Sequence, residues 1–273
     1  MAKNYKFGIS TTVDYSVDIF TQFDIFSKIG IDFISISARP EHCGFLNPDT
    51  FKKVLLRAKE LSFFIESAHA PFWEGYDPAA LDKSNRGAAI QKLVEYMGFA
   101  AEYDIPIAIV HPHYYFSDSR DACLERAAES IDKILSLKPR NIKMVIENLP
   151  TAKGSWICEK LLERFGDDKI GFCYDSSHEN MSGAPFHLLS RFYDRLTTTH
   201  LSDNHGVSDE HLVPGDGTID WAEMRRYLDK SPINNILFEV GTGEKLVEPV
   251  EQFIRRAGEA GRRFFGRSEG PVE

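Results

Sequence analysis

The sequence predicts an α/β chain folded as a single (β/α)8 TIM barrel, with a metal site at the C-terminal ends of its strands. Three observations predict it. Eight short apolar or β-branched runs alternate with eight segments of 3.6-residue hydrophobic periodicity. Those elements consume nearly all of the 273 residues, with no linker, low-complexity stretch or strong repeat between them. Six consecutive runs also end on a carboxylate or an imidazole.

Taken in order, the strand-like runs are 6–10, 33–37, 63–67, 107–110, 143–146, 171–174, 196–199 and 236–238. Most are continuously apolar or β-branched, as strands covered on both faces must be. The periodic segments between them are 17–29, 51–61, 87–103, 120–135, 156–165, 186–193, 221–228 and 246–265. Asp49, Ser119 and Asp220 stand where helix caps belong. An open doubly wound sheet shows the same local alternation. The closed barrel is preferred because it brings all six polar strand ends to one face. One domain spanning 1–273 is expected, with the Gly-, Arg- and Glu-rich tail 262–273 frayed.

Composition narrows the function classes. A hydrophobic content of 42% supports a large core, and no apolar run approaches the roughly 20 residues of a membrane helix. The N-terminus lacks the features of a secretory signal. Four cysteines (Cys43, Cys123, Cys158, Cys173) form no C-x-x-C pair, so a reducing, cytoplasmic setting is expected. A formal net charge of −9 argues against diffuse nucleic-acid binding.

The strand ends carry the chemistry. The third run closes at His69, the fourth at His111, the fifth at Glu147, the sixth at Asp175 (with His178 just beyond), the seventh at His200 and the eighth at Glu239. A lone strand-end His or Asp is more often a helix cap or a solvated side chain than a ligand. Glu147 and Glu239, however, follow strongly apolar runs, where a carboxylate is costly unless paired or metal-bound. Oxygen and imidazole donors without sulfur suit Zn²⁺, Mn²⁺ or a similar divalent cation. Past the seventh run, Asp209 and His211 lie two residues apart, and an extended loop would turn both to one side. Pro214, Gly215 and Gly217 then make a tight turn into the segment that Asp220 opens.

From about Phe7 to Phe265 this pattern resembles the xylose isomerase-like barrel superfamily, in which two branches compete. In the sugar and sugar-phosphate isomerase/epimerase branch, one divalent metal is held by two Glu, one Asp and one His. Glu147, Asp175, His200 and Glu239 match that set. The resemblance makes Glu147 and Glu239 the catalytic proton-transfer pair, with His178 contacting substrate. The endonuclease IV-type branch, which cuts DNA at abasic sites, uses three zinc ions and nine ligands. His69, His111, Glu147, Asp175, His178, His200, Asp209, His211 and Glu239 are the counterparts here. One to three bound ions are therefore expected.

The departures favour the first branch. Ala70-Pro71-Phe72-Trp73-Glu74 follows His69 where endonuclease-type sequences usually place an Asn, and Ser176-Ser177 stands for Thr-Cys. Asp203-Asn204-His205-Gly206 lacks Lys and Arg for DNA phosphates, and Glu210 stands where that family has Arg. The leading expectation is a metal-dependent sugar isomerase or epimerase acting on a small-molecule substrate. His69, His111, His178, Asp209 and His211 then hold additional metal or substrate hydroxyls. Phe72, Trp73 and Trp221 are expected as apolar stacking walls and Arg39 as a contact for an anionic group. The abasic-site phosphodiesterase, with nucleic acid as partner, is the first alternative. A catalytically silent metal-binding barrel is the second.

Overall fold

Eight parallel strands alternate with helices in the computed structural model, which describes residues 3–114, 119–242 and 248–266. The strands are β1 (Lys6–Ser10), β2 (Phe33–Ile36), β3 (Phe64–His69), β4 (Ile107–Val110), β5 (Lys143–Glu147), β6 (Gly171–Asp175), β7 (Leu196–His200) and β8 (Asn235–Phe238). Their hydrogen-bonded order is β7-β6-β5-β4-β3-β2-β1-β8. The remaining seam, β7 against β8, is drawn together by a Leu201–Phe238 bridge. There the Leu201 amide donates to the Leu237 carbonyl (2.9 Å) and the Glu239 amide to the Leu201 carbonyl (3.1 Å). The Thr199 hydroxyl accepts from the Leu237 amide (3.1 Å) and lies 3.3 Å from its carbonyl. A side chain thus stands in for the missing ladder, and the barrel nearly closes.

The helices are α1 (Ile19–Ile29), α2 (Pro48–Glu60), α3 (Lys83–Glu102), α4 (Arg120–Leu137), α5 (Ala152–Arg164), α6 (Ser176–Met181), α7 (His187–Phe192), α8 (Trp221–Lys230) and α9 (Val250–Phe265). Ser119 and Asp220 cap α4 and α8 as expected. Asp49 does not cap α2. Asn47 does, ahead of Pro48, and Asp49 sits in the first turn, where its charge complements the helix dipole. Helices α3 and α5 begin four residues earlier than periodicity indicates, because Asp82 and Thr151 cap polar first turns that carry no apolar stripe. Residues 262–265, expected to fray, instead close α9, with Phe265 fully buried against Tyr5 and Trp221. Residues 246–247 of the expected last helix and 267–273 of the expected frayed tail lie outside the described residues. No helix among the described residues is long and apolar enough to cross a membrane.

Strand periodicity decides what faces inward. Ile107, Ile109, Val145 and Cys173 form a small cluster separate from the main apolar core under the helices. Counting in twos from these residues brings His111, Glu147 and Asp175 to the barrel axis. At the other end Gly8 leaves room for Phe33, whose ring would lie 2.1 Å from any Cβ on Gly8. Two strands reach the same phase only through bulges. Between the pairs Ile34–Ile65 and Ser35–Ser67, β3 carries the extra residue Glu66. Between Phe172–Leu196 and Cys173–Thr198, β7 carries the extra Thr197. A one-residue insertion reverses the facing of everything after it. These bulges therefore turn His69 and His200 inward. Glu66 itself accepts from Thr198 Oγ1 (2.8 Å) and Asn235 Nδ2 (2.9 Å).

Candidate metal centre

At the C-terminal end of the barrel lies a cavity of about 940 Å³, lined by the last residues of β3 and β5 (His69, Glu147) and by the next residue along after β4 and β8 (His111, Glu239). At its floor Glu147 and Glu239 line the cavity and Asp175 and His200 lie beside them; each of the four offers one ligand atom, all within 4.8 Å of one another. An ion with bonds of about 2.0–2.3 Å spaces its ligands by at most about 4.5 Å, so a small contraction would complete a shell. All four are buried, at 1%, 0%, 0% and 7% exposure.

The donors are also incompletely satisfied. Asp175 uses Oδ1 to accept the His178 amide (2.7 Å), capping α6, a helix that carries no apolar periodicity to announce it. Cap and ligand are thus compatible roles for the two oxygens of one carboxylate. Asp175 Oδ2 and His200 Nδ1 are buried with no well-formed hydrogen bond among the described residues. Yet His200 Nδ1 lies 2.9 Å from Glu239 Oε2 and 3.1 Å from Glu147 Oε2. Buried polar atoms left in this way call for a partner, and a divalent cation fits two glutamates, an aspartate and an imidazole. The residues fit the ion.

The electrostatics agree. Burial, reinforced by Glu147, Asp209 and Glu239, raises the Asp175 carboxyl to about 7, although His178 opposes this. Burial would also raise Glu147, but His200 and His111 hold it well below the usual carboxylate range. Glu239, likewise opposed by burial, is brought to about 2 by His200. Burial disfavours the imidazolium of His200, yet Cys173, Glu239 and Glu147 hold it well above its ordinary value. A bound cation would take the place of such protons.

Five further predicted residues ring this floor. His69 Nε2 and His111 Nε2 approach Glu147 Oε2 at 3.1 and 3.5 Å, and His178 Nδ1 approaches Glu147 Oε1 at 3.3 Å. His178 Nε2 and His211 Nε2 flank Asp209 Oδ2 at 3.3 and 3.1 Å. Three of these imidazoles are aimed by backbone carbonyls. Nδ1 of His69 meets the Ala70 carbonyl (2.7 Å), that of His178 the Asn148 carbonyl (2.8 Å) and that of His211 the Glu239 carbonyl (2.8 Å). A carbonyl only accepts, so Nδ1 carries the hydrogen and Nε2 turns to the site, the orientation that metal-ligating histidines use. Asp209 and His211 do meet, but not through an extended loop. His211 has φ +51°, a left-handed conformation held by the Gly241 amide on its carbonyl (3.0 Å) and by its own ring.

The remaining predicted residues divide. Phe72 lines the cavity and stacks on His111 with centroids 4.4 Å apart. Arg39 also lines it. Trp73 lies behind, against Phe72 and Tyr76, and is not among the lining residues. Trp221, expected as a stacking wall, is buried at 4% exposure and faces away, its indole N–H donating to Asp203 Oδ2 (2.8 Å). A capped helix start beside an apolar ring cannot reveal which way the ring packs.

Two residues escaped the sequence reading. Asp203, fully buried, accepts from the Gly215 amide (2.8 Å) and Trp221 on Oδ2, and from the amides of Asn204 (2.9 Å) and Ile219 (3.2 Å) on Oδ1. Its backbone pairs both ways with Leu212, beside His211. It therefore ties down the loop that presents Asp209 and His211. Gly217 belongs to the same knot: a Cβ there would lie 2.3 Å from Asp203 Oδ1. Asn148 accepts from the Asp175 amide and donates to its carbonyl, both at 2.8 Å, locking β5 to β6 beneath the quartet. Asp203 lies three residues past His200, a spacing that signals nothing without the loop's fold.

Comparison with known proteins agrees with this architecture. An uncharacterized protein of Methanocaldococcus jannaschii is 25% identical over 246 residues, covering 85% of this chain and 82% of its own. A D-psicose 3-epimerase crystallised in the presence of D-fructose superposes with a TM-score of 0.76 at 18% identity, covering 96% of this chain and all of its own. A protein solved with a bound zinc atom gives 0.75 at 13% identity, covering 96% and 100%. At such identities these structures speak for the fold alone. The model of the xylose isomerase-like TIM barrel matches residues 23–257, and the chain belongs to that family.

Proposed function

We infer that this chain is a divalent-metal-dependent isomerase or epimerase of a sugar or sugar derivative. The observation that carries the reading is the buried quartet of Glu147, Asp175, His200 and Glu239, with its two glutamates within reach of one ligand position. A bound Zn²⁺ or Mn²⁺ would polarise the substrate's carbonyl and neighbouring hydroxyl. Glu147 and Glu239 then remove the proton from the carbon beside that carbonyl and return it on the other face or to the adjacent carbon. Glu239 is the more open of the two to the cavity, while four imidazoles surround Glu147. Phe72 offers an apolar wall for the sugar ring or chain. The sugar epimerases among structures of like fold are consistent with this reading.

A second reading has its own observation. The pre-aimed groups His69–His111–Glu147 and His178–Asp209–His211 would serve further ions, as in an abasic-site phosphodiesterase. Among the described residues that line the cavity, however, Arg39 is the sole Lys or Arg, a poor surface for a phosphodiester strand. One experiment separates them. Metal content of protein purified without added metal is measured, then conversion of ketoses and incision of an abasic oligonucleotide are assayed with wild type and Glu239→Gln. About one ion per chain and Glu239-dependent ketose conversion are expected. Three zinc ions with Glu239-dependent incision would overturn the isomerase reading. Tight metal binding without either activity would leave a silent metal-binding barrel.

A further inference from the structure

The metal quartet occupies one side of the barrel mouth, on β5 to β8, and the opposite rim has a different character. In the strand order, β2 stands four strands from β6 either way round, hence across the barrel. Arg39 follows β2 and lines the cavity there, on the side of the barrel away from β6. Although the chain has 41 acidic residues, Arg39 makes no ion pair with any described carboxylate.

Its position is supported rather than loose. The guanidinium stacks on Tyr15, 4.4 Å from the ring centroid. Tyr15 packs edge-on against His42 (5.3 Å), whose Nε2 meets the Val17 carbonyl (2.9 Å). The ring covers one side of the guanidinium, which is otherwise exposed and keeps N–H donors for an acceptor. Asp14, a lining carboxylate next in sequence to Tyr15, is already engaged. Its Oδ1 accepts from the amide and hydroxyl of Ser16 (2.9 and 2.6 Å), and its Oδ2 from Thr242 Oγ1 (3.2 Å). The rim thus holds one cation, placed by Tyr15, that lacks an ion-pair partner among the described residues and stands on the side of the barrel opposite β6.

We propose that the substrate carries a terminal oxyanion, a phosphate or a carboxylate, and that Arg39 binds it at the end of the molecule farthest from the metal. This rests on the isomerase reading for its geometry: reacting carbons on the quartet, anionic tail across the mouth. The planar fork of Arg39 accepts either anion through two parallel hydrogen bonds.

The test measures binding rather than turnover, so that it can fail independently of the isomerase reading. A neutral ketose, its terminal phosphate and the matching terminal carboxylate are titrated calorimetrically into the metal-loaded full chain. Wild type, Arg39→Gln and Arg39→Lys are compared at low and high salt. Wild type should bind one of the anionic sugars about tenfold tighter than the neutral one, the worth of one exposed charge-assisted contact. Whichever anion gains more identifies the source. Arg39→Gln should abolish the advantage without changing affinity for the neutral ketose, Arg39→Lys should restore part of it, and salt should shrink it. Equal wild-type affinities, or an advantage that survives in Arg39→Gln, would overturn the proposal. An Arg39-dependent advantage in a protein that converts no ketose would sustain this site while sinking the isomerase reading.

Discussion

Removing the carboxylate of Asp203 should unravel the far side of the candidate site without touching any ligand. In Asp203→Ala four N–H donors lose their acceptor: the amides of Asn204, Gly215 and Ile219, and the indole of Trp221. A buried donor left unsatisfied costs about 1–3 kcal/mol. The amides of Gly215 and Ile219 can recover water, whereas that of Asn204, fully buried, and the Trp221 indole, at 4% exposure, cannot. A net loss of about 4 kcal/mol follows, with Asp203→Asn, which keeps one acceptor oxygen, losing about 2 kcal/mol. At about 2.1 cal/mol/K per residue over 273 residues, the alanine variant should melt about 7 °C lower. Urea unfolding followed by circular dichroism gives the free energies, and calorimetry the Tm. Gly217→Ala, which drives a Cβ into the same carboxylate, should reproduce the defect. Unfolding of Asp203→Ala within about 0.5 kcal/mol of wild type would refute the reasoning, because a surface-like tolerance is incompatible with a knot of this kind.

Other consequences can be checked separately. Thr199→Val removes the hydroxyl at the β7–β8 seam and orphans the Leu237 amide, so urea unfolding should show a loss of about 1–3 kcal/mol. Asn148→Ala should keep the fold but weaken metal binding about 10–100-fold in chelator competition, because the β5–β6 lock under Asp175 is gone. Burial raises the Glu66 carboxyl despite the hydrogen bonds from Asn235 and Thr198. A group raised on folding stabilises the fold while protonated and loses that contribution as pH climbs through its folded value. Melting curves of wild type and Glu66→Gln should therefore run parallel in acid and separate above the ordinary carboxylate range, wild type falling relative to the variant. A constant offset across pH would contradict this.

Much of the architecture was legible because the signals are local. Runs such as 107–110 and 143–146 must be strands covered on both faces, and the periodic segments between them need an apolar stripe against those strands. The polar residues ending six runs were legible for the same reason, since a carboxylate such as Glu147 after three buried residues demands a partner. The short helix α6 was not, because six residues contain too little periodicity. Neither was the start of α3 or α5, whose first turns are polar.

By itself, then, the sequence determined the strand–helix alternation, the donor types at the strand ends and the lack of compensating cations around them. Only the tertiary structure decided which way those donors face. The register bulges at Glu66 and Thr197 bring His69 and His200 into phase with Glu147 and Asp175, and a bulge is defined by pairing with a neighbouring strand, not by the strand's own residues. The same holds for Trp221, turned inward onto Asp203, and for Arg39, left unpaired across the mouth from the quartet. Orientation and pairing depend on partners tens of residues away, and local pattern carries no information about them.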